Sequence, residues 1–578
     1  MLETAVGAPT PSCNPEKQVK KLTLRSGLLA TTTICGAALS TLAGGALVTT
    51  VATMLPTVAQ AQDYTSGALL GTVTDAGGAP VSGATVTLTS TAQGQSRTLT
   101  TNASGQFSAI GLLPGEYSYT VSANGYDDAK GTATIVISQE VRYDIALNST
   151  GATQTVVVKG KRVRQDFTKT TTGLTVDLDT LMSQQPVARN LNAVTLLAPT
   201  VTQGQKGNGN FEKSSSFGGG SVAENAYYID GLNITNPDTY VGGNQVPFDF
   251  YKTIEVKTGG YAAEFGRATG GVINATTKSG TNDFMFAIHG NYAPSDLQAT
   301  QLDTYSYTGA FDQTQEESLS LEMGGALIKD HLFAYGLYQM NNNVRETGNF
   351  RTGALTKLTN QDPFLGAKLD AYFTPTQRLS LTYFDTTRTE KGKLYEFDGE
   401  TVGDLTGTTA EDLGGQSYVL NYNGQITDWF TVSAAYGDTK DADNFIPSNT
   451  TDYYVTSYYD TDGVYQGGSS TISPNQSVSA ITIDNVERKF YRLDGDLRFE
   501  LAGRHHVRFG YDHEENTMEK ISTLVGGKPV IYSYEPDPAE DADPTDPANM
   551  LLHVTYEYLG GNVSAENSAW YIQDSWDI

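Results

Sequence analysis

The sequence is poor in cysteine: two in 578 residues, Cys13 and Cys35, both close to the N-terminus. Beyond residue 61 there is no thiol, so disulfides and thiolate metal sites are excluded and sheet and core alone must hold an exported chain together. Positive charge is also scarce. Lys and Arg number 37 against 64 Asp and Glu, a formal net charge of −27. Such a chain has nothing to set against a run of nucleic-acid phosphates. Only six histidines are present, and neither Gly-x-Ser-x-Gly nor His-Glu-x-x-His occurs, which leaves no hydrolytic or zinc signature. No Gly-Lys-Ser/Thr loop cradles a phosphate. The chain is therefore expected to be no enzyme, with no cofactor and no metal site. After the leader no segment resembles a transmembrane helix, so residence in a membrane requires a closed β-barrel.

What the sequence does have is turns and aromatics: 60 Gly, 33 Tyr and 21 Phe beside 8 Met. That balance favours aromatic-rich strands over helices and suits the aromatic girdles of a membrane barrel. Mean hydropathy is −0.32, which a barrel tolerates because only alternate strand residues face lipid. At the N-terminus Lys17, Lys20, Lys21 and Arg25 precede a small, apolar stretch from Leu28 to Leu55, ending in Ala59-Gln60-Ala61. This predicts a signal peptide over 1–61, cleaved after the small-x-small site.

Residues 62–150 carry short alternating runs, at Ala84–Leu88, Gly105–Ser108, Tyr117–Val121 and Tyr143–Leu147, separated by Gly, Pro and Asn turn signals. The spacing predicts a small β-sandwich. The order Gly71-Thr72-Val73, Pro80 to Val86, Leu113 to Tyr117 and Gly125-Tyr126 resembles the carboxypeptidase regulatory-like domain. That family implies a prealbumin-like sandwich without catalytic residues, with relatives that include carbohydrate-binding modules.

Residues 151–166 form a linker containing Gln154-Thr155-Val156-Val157-Val158-Lys159. A β-branched run suits a segment that stays extended while unpaired, although it also suits one more sandwich strand. It resembles a Ton box, which implies strand addition to TonB, the energy-transducing protein of the inner membrane.

Residues 167–282 resemble the plug domain of TonB-dependent outer-membrane receptors. Tyr227 to Ile229 lead into the turn Asp230-Gly231; further on, Ile254-Glu255-Val256 is followed by Phe265-Gly266-Arg267 and Gly270-Gly271-Val272-Ile273-Asn274. These elements stand in the family's order. Their glycines permit tight turns and a close approach to a barrel wall. Leu178–Leu181 and Asn190–Pro199 predict short amphipathic turns. Glu255 and Arg267 are candidates for a plug–wall ion pair, with simple packing the commoner fate of such charges.

From 283 to 578 ten strand candidates alternate apolar and polar residues; the clearest sets Tyr491, Leu493, Gly495, Leu497 and Phe499 against Arg492, Asp494, Asp496, Arg498 and Glu500. Short turns are expected near 329–330, 374–376, 426–428 and 502–504, and long outer links near 293–317, 343–362, 389–415, 441–487 and 516–566. That alternation is the pattern of outer-membrane barrels. Lumen charges such as Arg492, Asp494, Asp496 and Arg498 are expected to pair with one another or with the plug.

The fold class is thus mainly β: sandwich, α+β plug, and the first part of a large antiparallel transmembrane barrel. The resemblance is to the Oar-like branch of the receptor family. It implies import across the outer membrane of a Gram-negative bacterium, with sandwich and plug on the periplasmic side. The implied partners are TonB, outer-membrane lipid and an extracellular substrate, whether peptide, glycan or iron chelate. An adhesion, signalling or carbohydrate-binding role on the same scaffold is the alternative. Plugged transporters use about 22 strands, so ten strands lead to the expectation of a chain truncated partway through its barrel.

Overall fold

The computed structural model describes residues 65–577 apart from 151–170, 185–188, 205–213, 267, 301, 448–453, 460–464, 472–479, 525–530, 537–549 and 556–557. The signal-peptide segment and the Ton-box residues Gln154 to Lys159 lie outside the described residues.

Seven strands build the N-terminal sandwich: β1 (Gly67–Asp75), β2 (Thr85–Ser90), β3 (Ser96–Thr100), β4 (Gln106–Leu112), β5 (Gly115–Ser122), β6 (Ala129–Ile135) and β7 (Glu140–Leu147). They form sheets of order β4-β1-β7 and β3-β2-β5-β6, with β1 and β7 parallel. Four of the seven lie at the alternating runs of the sequence. Turn chemistry explains the joints. Asp75 Oδ1 accepts from the backbone N–H of Gly77 and Ala79 at 2.8 and 2.9 Å, and Asn102 does the same for Ser104 and Gln106; both are Asx turns. The core, including Leu69, Val86, Phe107, Tyr119 and Ile145, is drawn entirely from this domain.

The plug follows as β8 (Thr172–Asp177), α1 (Leu178–Gln184), α2 (Leu191–Thr195), β9 (Val201–Gln203), β10 (Ser215–Phe217), β11 (Ala226–Ile229), β12 (Leu232–Asn233), β13 (Tyr251–Gly259) and β14 (Val272–Thr277). Five of these strands form one mixed sheet in the order β12-β11-β14-β13-β8. The two short helices sit where amphipathic turns were expected, α2 being capped by Asn190 Oδ1 accepting from Ala193 N at 2.8 Å. Ile254, Val256 and Ile273 are fully buried in a core that also contains Tyr335, Leu337, Phe364, Phe384, Val419 and Phe490 of the wall. Plug and wall therefore share one apolar cluster.

The wall is an antiparallel sheet of β15 (Met285–Ala293), β16 (Tyr307–Ile328), β17 (Leu332–Asn349), β18 (Ala354–Asn360), β19 (Phe364–Thr374), β20 (Gln377–Asp385), β21 (Arg388–Phe397), β22 (Val402–Gly414), β23 (Gln416–Thr427), β24 (Phe430–Pro447), β27 (Ala480–Glu500), β28 (Arg504–Leu524) and β31 (Tyr558–Asp577). Outer segments β25 (Tyr454–Tyr459), β26 (Tyr465–Thr471), β29 (Ile531–Pro536) and β30 (Met550–Thr555) form a separate four-stranded sheet.

The expectation of long irregular links is corrected here. β17 pairs with β19 near the plug and with β18 farther out, while β18–β21–β22–β24 repeats the order β19–β20–β23–β24 above it. The wall strands thus continue past breaks at 361–363, 386–387 and 415, and segments 343–360 and 388–414 are mostly sheet. Alternation is weaker there because those strands stand beyond the lipid, where neither face must be apolar. Hairpins fall at the expected short turns, with positive φ at Asp330 (60°), Ala502 (52°) and Gly503 (128°).

Side-chain direction sorts the two faces. Leu365, Leu369 and Phe373 of β19 point out, while Lys368, Asp370 and Tyr372 point in and are buried. On β27 Tyr491, Leu493 and Phe499 are outward; Arg492, Asp494 and Asp496 are inward. Tyr491 and Phe499 are eight residues apart, about 26 Å along a strand and roughly 20 Å across a bilayer at a tilt near 40°. Tyr511 and Trp570 join the first level at ring separations of 6.0 and 4.4 Å along Tyr491–Tyr511–Trp570. His505 and Trp576 stack at the second, each 5.0 Å from its neighbour in the row Phe499–His505–Trp576. Two aromatic levels bracketing an apolar band are what a lipid interface selects. One strand departs from the rule: on β17 Phe333, Tyr335 and Leu337 face inward, buried against the rest of the molecule.

Candidate functional site

The site is the seam between plug and wall, where buried charged side chains of the two meet. Three polar centres hold it. The first is the turn Asp230-Gly231. Both residues have positive φ, 47° and 82°, which an Asp-Gly hairpin turn requires. The turn drives the Asp230 carboxylate toward the wall, where it is fully buried. It accepts from Thr277 N at 3.0 Å within the plug. From the wall it accepts from Lys368 Nζ at 3.1 Å and Thr382 Oγ1 at 2.7 Å. Asn421 Nδ2 donates to the Asp230 carbonyl at 2.8 Å. One plug residue thus engages β19, β20 and β23. Burial alone would raise the Asp230 carboxyl, yet the Lys368 ammonium and the Thr277 and Thr382 donors outweigh it, leaving the carboxyl below its ordinary range.

The second centre joins the lumen charges, which were expected to pair, to a plug carboxylate that the sequence did not single out. Glu264, in the short turn before Phe265, lies 2.9 Å from Arg508 Nε and 3.8 Å from Arg492 Nη2. Arg492 also meets Asp494 at 2.9 Å, and Arg508 meets Asp494 and Asp496 at 3.5 and 3.7 Å. Burial pushes Glu264 up to about 7 although both guanidiniums pull it down; Asp494 adds to the push. Burial outweighs the neighbouring cations, so this carboxyl resists ionisation.

At the third centre Arg488 donates to the carbonyls of Asn233 and Thr235 at 3.0 and 2.6 Å. Asn233 Nδ2 donates to Glu514 at 3.2 Å.

The expected plug–wall ion pair is revised accordingly. Glu255 pairs with Lys257, 3.0 Å away and two residues on along its own strand, so the two lie on one face of the sheet. Arg267 lies outside the described residues. Phe265 is buried edge-on against Tyr228 and Tyr261, with Lys257 Nζ 5.0 Å above its ring. Gly266 closes that turn. Gly271 permits close packing: a Cβ there would stand 2.3 Å from the Phe217 ring. A Cβ on Gly270 would stand 2.6 Å from Asn225 Oδ1. Arg492 pairs with Asp494 and with Glu264 of the plug, Asp496 pairs with Arg508 and His506 of β28, and Arg498 reaches Glu140 of the sandwich at 3.4 Å.

Asp249, His289 and Glu322 offer ligand atoms within 4.8 Å of one another. Lys278 Nζ lies 3.0 Å from both Glu322 oxygens, and Arg189 pairs with Asp249. The chain's own cations thus already neutralise this group.

Family comparisons agree with this architecture. The family described as carboxypeptidase regulatory-like domain matches residues 68–148, and the TonB-dependent receptor plug domain matches 167–272. The chain is similar to the TonB-dependent transporter Oar of Myxococcus xanthus, 29% identical over 278 residues, which is 47% of this chain and 26% of that protein. The match thus spans about a quarter of that relative's length. Among solved structures, the outer-membrane transporter YddB of Escherichia coli is 13% identical, with a TM-score of 0.45 over 70% of this chain and 56% of that one. The siderophore receptor PirA of Acinetobacter baumannii is 16% identical, with a TM-score of 0.41 over 69% and 57%. Likenesses of that size carry no assignment of substrate. The chain thus carries the plug domain of the TonB-dependent receptors with a carboxypeptidase regulatory-like domain ahead of it, and it is similar to a TonB-dependent transporter.

Proposed function

We propose that the complete receptor imports a solute across the outer membrane, and that TonB drives this by gripping the segment Gln154–Lys159 and pulling on the plug. The observation that carries the proposal is the Asp230 centre, a buried plug carboxylate bound to Lys368 and Thr382 of the wall. Such a joint holds the plug firmly at rest. It is nonetheless made of a few directional bonds that release together once the plug shifts. The pulled segment lies just before β8, an end strand of the plug sheet, so tension reaches the sheet at an edge. Similarity to a named transporter supports import over adhesion. The substrate class stays open among peptide, glycan and iron chelate.

The test is deletion of Gln154–Lys159 in the full-length receptor, followed by cross-linking in cells to TonB. The proposal expects the cross-link to disappear while the receptor remains in the outer membrane. An undiminished cross-link overturns the assignment of the segment.

A further inference from the structure

We infer that the sandwich domain is the periplasmic gate of this receptor: a rigid body latched by polar bonds over a cavity that runs along the plug–wall seam. The cavity measures about 470 Å³. Tyr117 and Pro114 of the sandwich form its floor, Lys252 and Thr276 of the plug one side, and Ala287 and Lys368 of the wall the other.

The latch touches both other domains. Gln93, almost wholly buried, donates to Gly280 O at 3.0 Å and accepts from Tyr372 OH of β19 at 2.8 Å. Asn282 N donates to Ala92 O at 2.9 Å. Arg97 Nε donates to Pro375 O, in the turn after β19, at 2.9 Å. On another side Arg498 of β27 donates to Ser108 Oγ at 3.2 Å and meets Glu140 at 3.4 Å. Gln139 donates to Thr175 Oγ1 of the plug strand β8 at 3.1 Å. At Gly94 (φ 70°) a Cβ would stand 2.4 Å from Asp330 Oδ1 of the wall, so the domains approach more closely than a side chain allows.

Two kinds of contact distinguish what can move. The plug core is continuous with that of the wall, so withdrawing the plug exposes apolar surface. The sandwich core contains only sandwich residues, and among the described residues the polar contacts that join it to the rest are hydrogen bonds and one ion pair, with Ala68 and Ile110 as small apolar contacts outside that core. Undocking the sandwich therefore divides no shared core, and it uncovers the cavity before the plug has moved. The position of the Ton-box segment between sandwich and plug means that one pull loads both. The inference rests on the periplasmic placement of the sandwich; the gate would exist whether or not the Ton-box assignment holds.

The test places a single cysteine in the cavity, Ala287→Cys, in the full-length receptor in detergent, with Cys13 and Cys35 changed to serine. Its labelling rate with a sulfonated maleimide dye is then compared between parent and wall-side variants. Tyr372→Phe and Arg498→Ala each remove a latch contact from outside the sandwich, so neither removes a sandwich side chain. Because the loss of one or two charge-assisted or buried hydrogen bonds changes a docking equilibrium by a factor of ten or more, the double variant is expected to label at least tenfold faster than the parent. Deletion of residues 65–148 sets the fully open limit and should label at least as fast as the double variant. Equal rates in parent and double variant, or a parent labelled as rapidly as the deletion, would overturn the gate.

Discussion

Asp230 of the plug and Lys368 of the wall, 138 residues apart in sequence, meet at 3.1 Å with both side chains almost wholly buried. The pair is the centre of the resting joint, and its burial decides how it responds to mutation. Removing one member leaves the other charge buried and unpaired, which typically costs about 3–5 kcal/mol.

Asp230→Ala is accordingly expected to loosen the plug severely, lowering the temperature at which the receptor loses its folded gel mobility. Lys368→Met should do the same. The double variant Asp230→Asn with Lys368→Met should lose less than the sum of the single losses, because no charge is then left unpaired. Additive losses would show that the two residues act independently.

Glu264 gives a dependence on pH. Its carboxyl holds a proton in the folded receptor up to about pH 7, against an ordinary value of 4.5. A group raised in this way contributes its full stability below about 4.5 and loses it as the pH rises through 7. Plug attachment should therefore weaken as the pH rises from about 4.5 through 7, by an amount on the order of 3 kcal/mol over that whole window. Glu264→Gln keeps the neutral form and should flatten that slope. A slope unchanged in Glu264→Gln would assign the effect to another group.

Gly271 tests the close packing within the plug. Gly271→Ala would bring a methyl to 2.3–2.5 Å from the Phe217 ring, and overpacking of this kind costs about 1–3 kcal/mol. Trimming the ring with Phe217→Leu in the same chain should recover most of the loss. If Gly271→Ala melts like the parent, the ring has room that the packing denies.

The wall strands were legible in the sequence because lipid on one side and a polar lumen on the other impose a period of two. Phase was harder to read. β17 alternates as regularly as β19, yet it turns Phe333, Tyr335 and Leu337 toward the interior, where the plug core packs against Tyr335 and Leu337 and Tyr372 packs against Phe333. Alternation gives the period and leaves open which partner lies on each side. The Asp230-Gly231 turn was visible as a turn, but its wall partners Lys368, Thr382 and Asn421 are 138, 152 and 191 residues away, beyond any local pattern. Glu255 drew notice because it sits in the motif's strand, whereas the wall-facing carboxylate is Glu264 in the following turn. The one signal for it was the inward Arg492 of β27, a lumen cation in need of an acid from the plug.

Tension on the segment before β8 is expected to move the plug away from the wall. Val419 lies on the wall, fully buried in the core shared with the plug, and it makes none of the polar bonds of the seam. In a receptor with Val419→Cys as its single cysteine, a membrane-impermeant maleimide applied to cells should label that position when TonB is present. Labelling should fall to background when TonB is absent or Gln154–Lys159 is deleted. Equal labelling in all three strains would contradict the account.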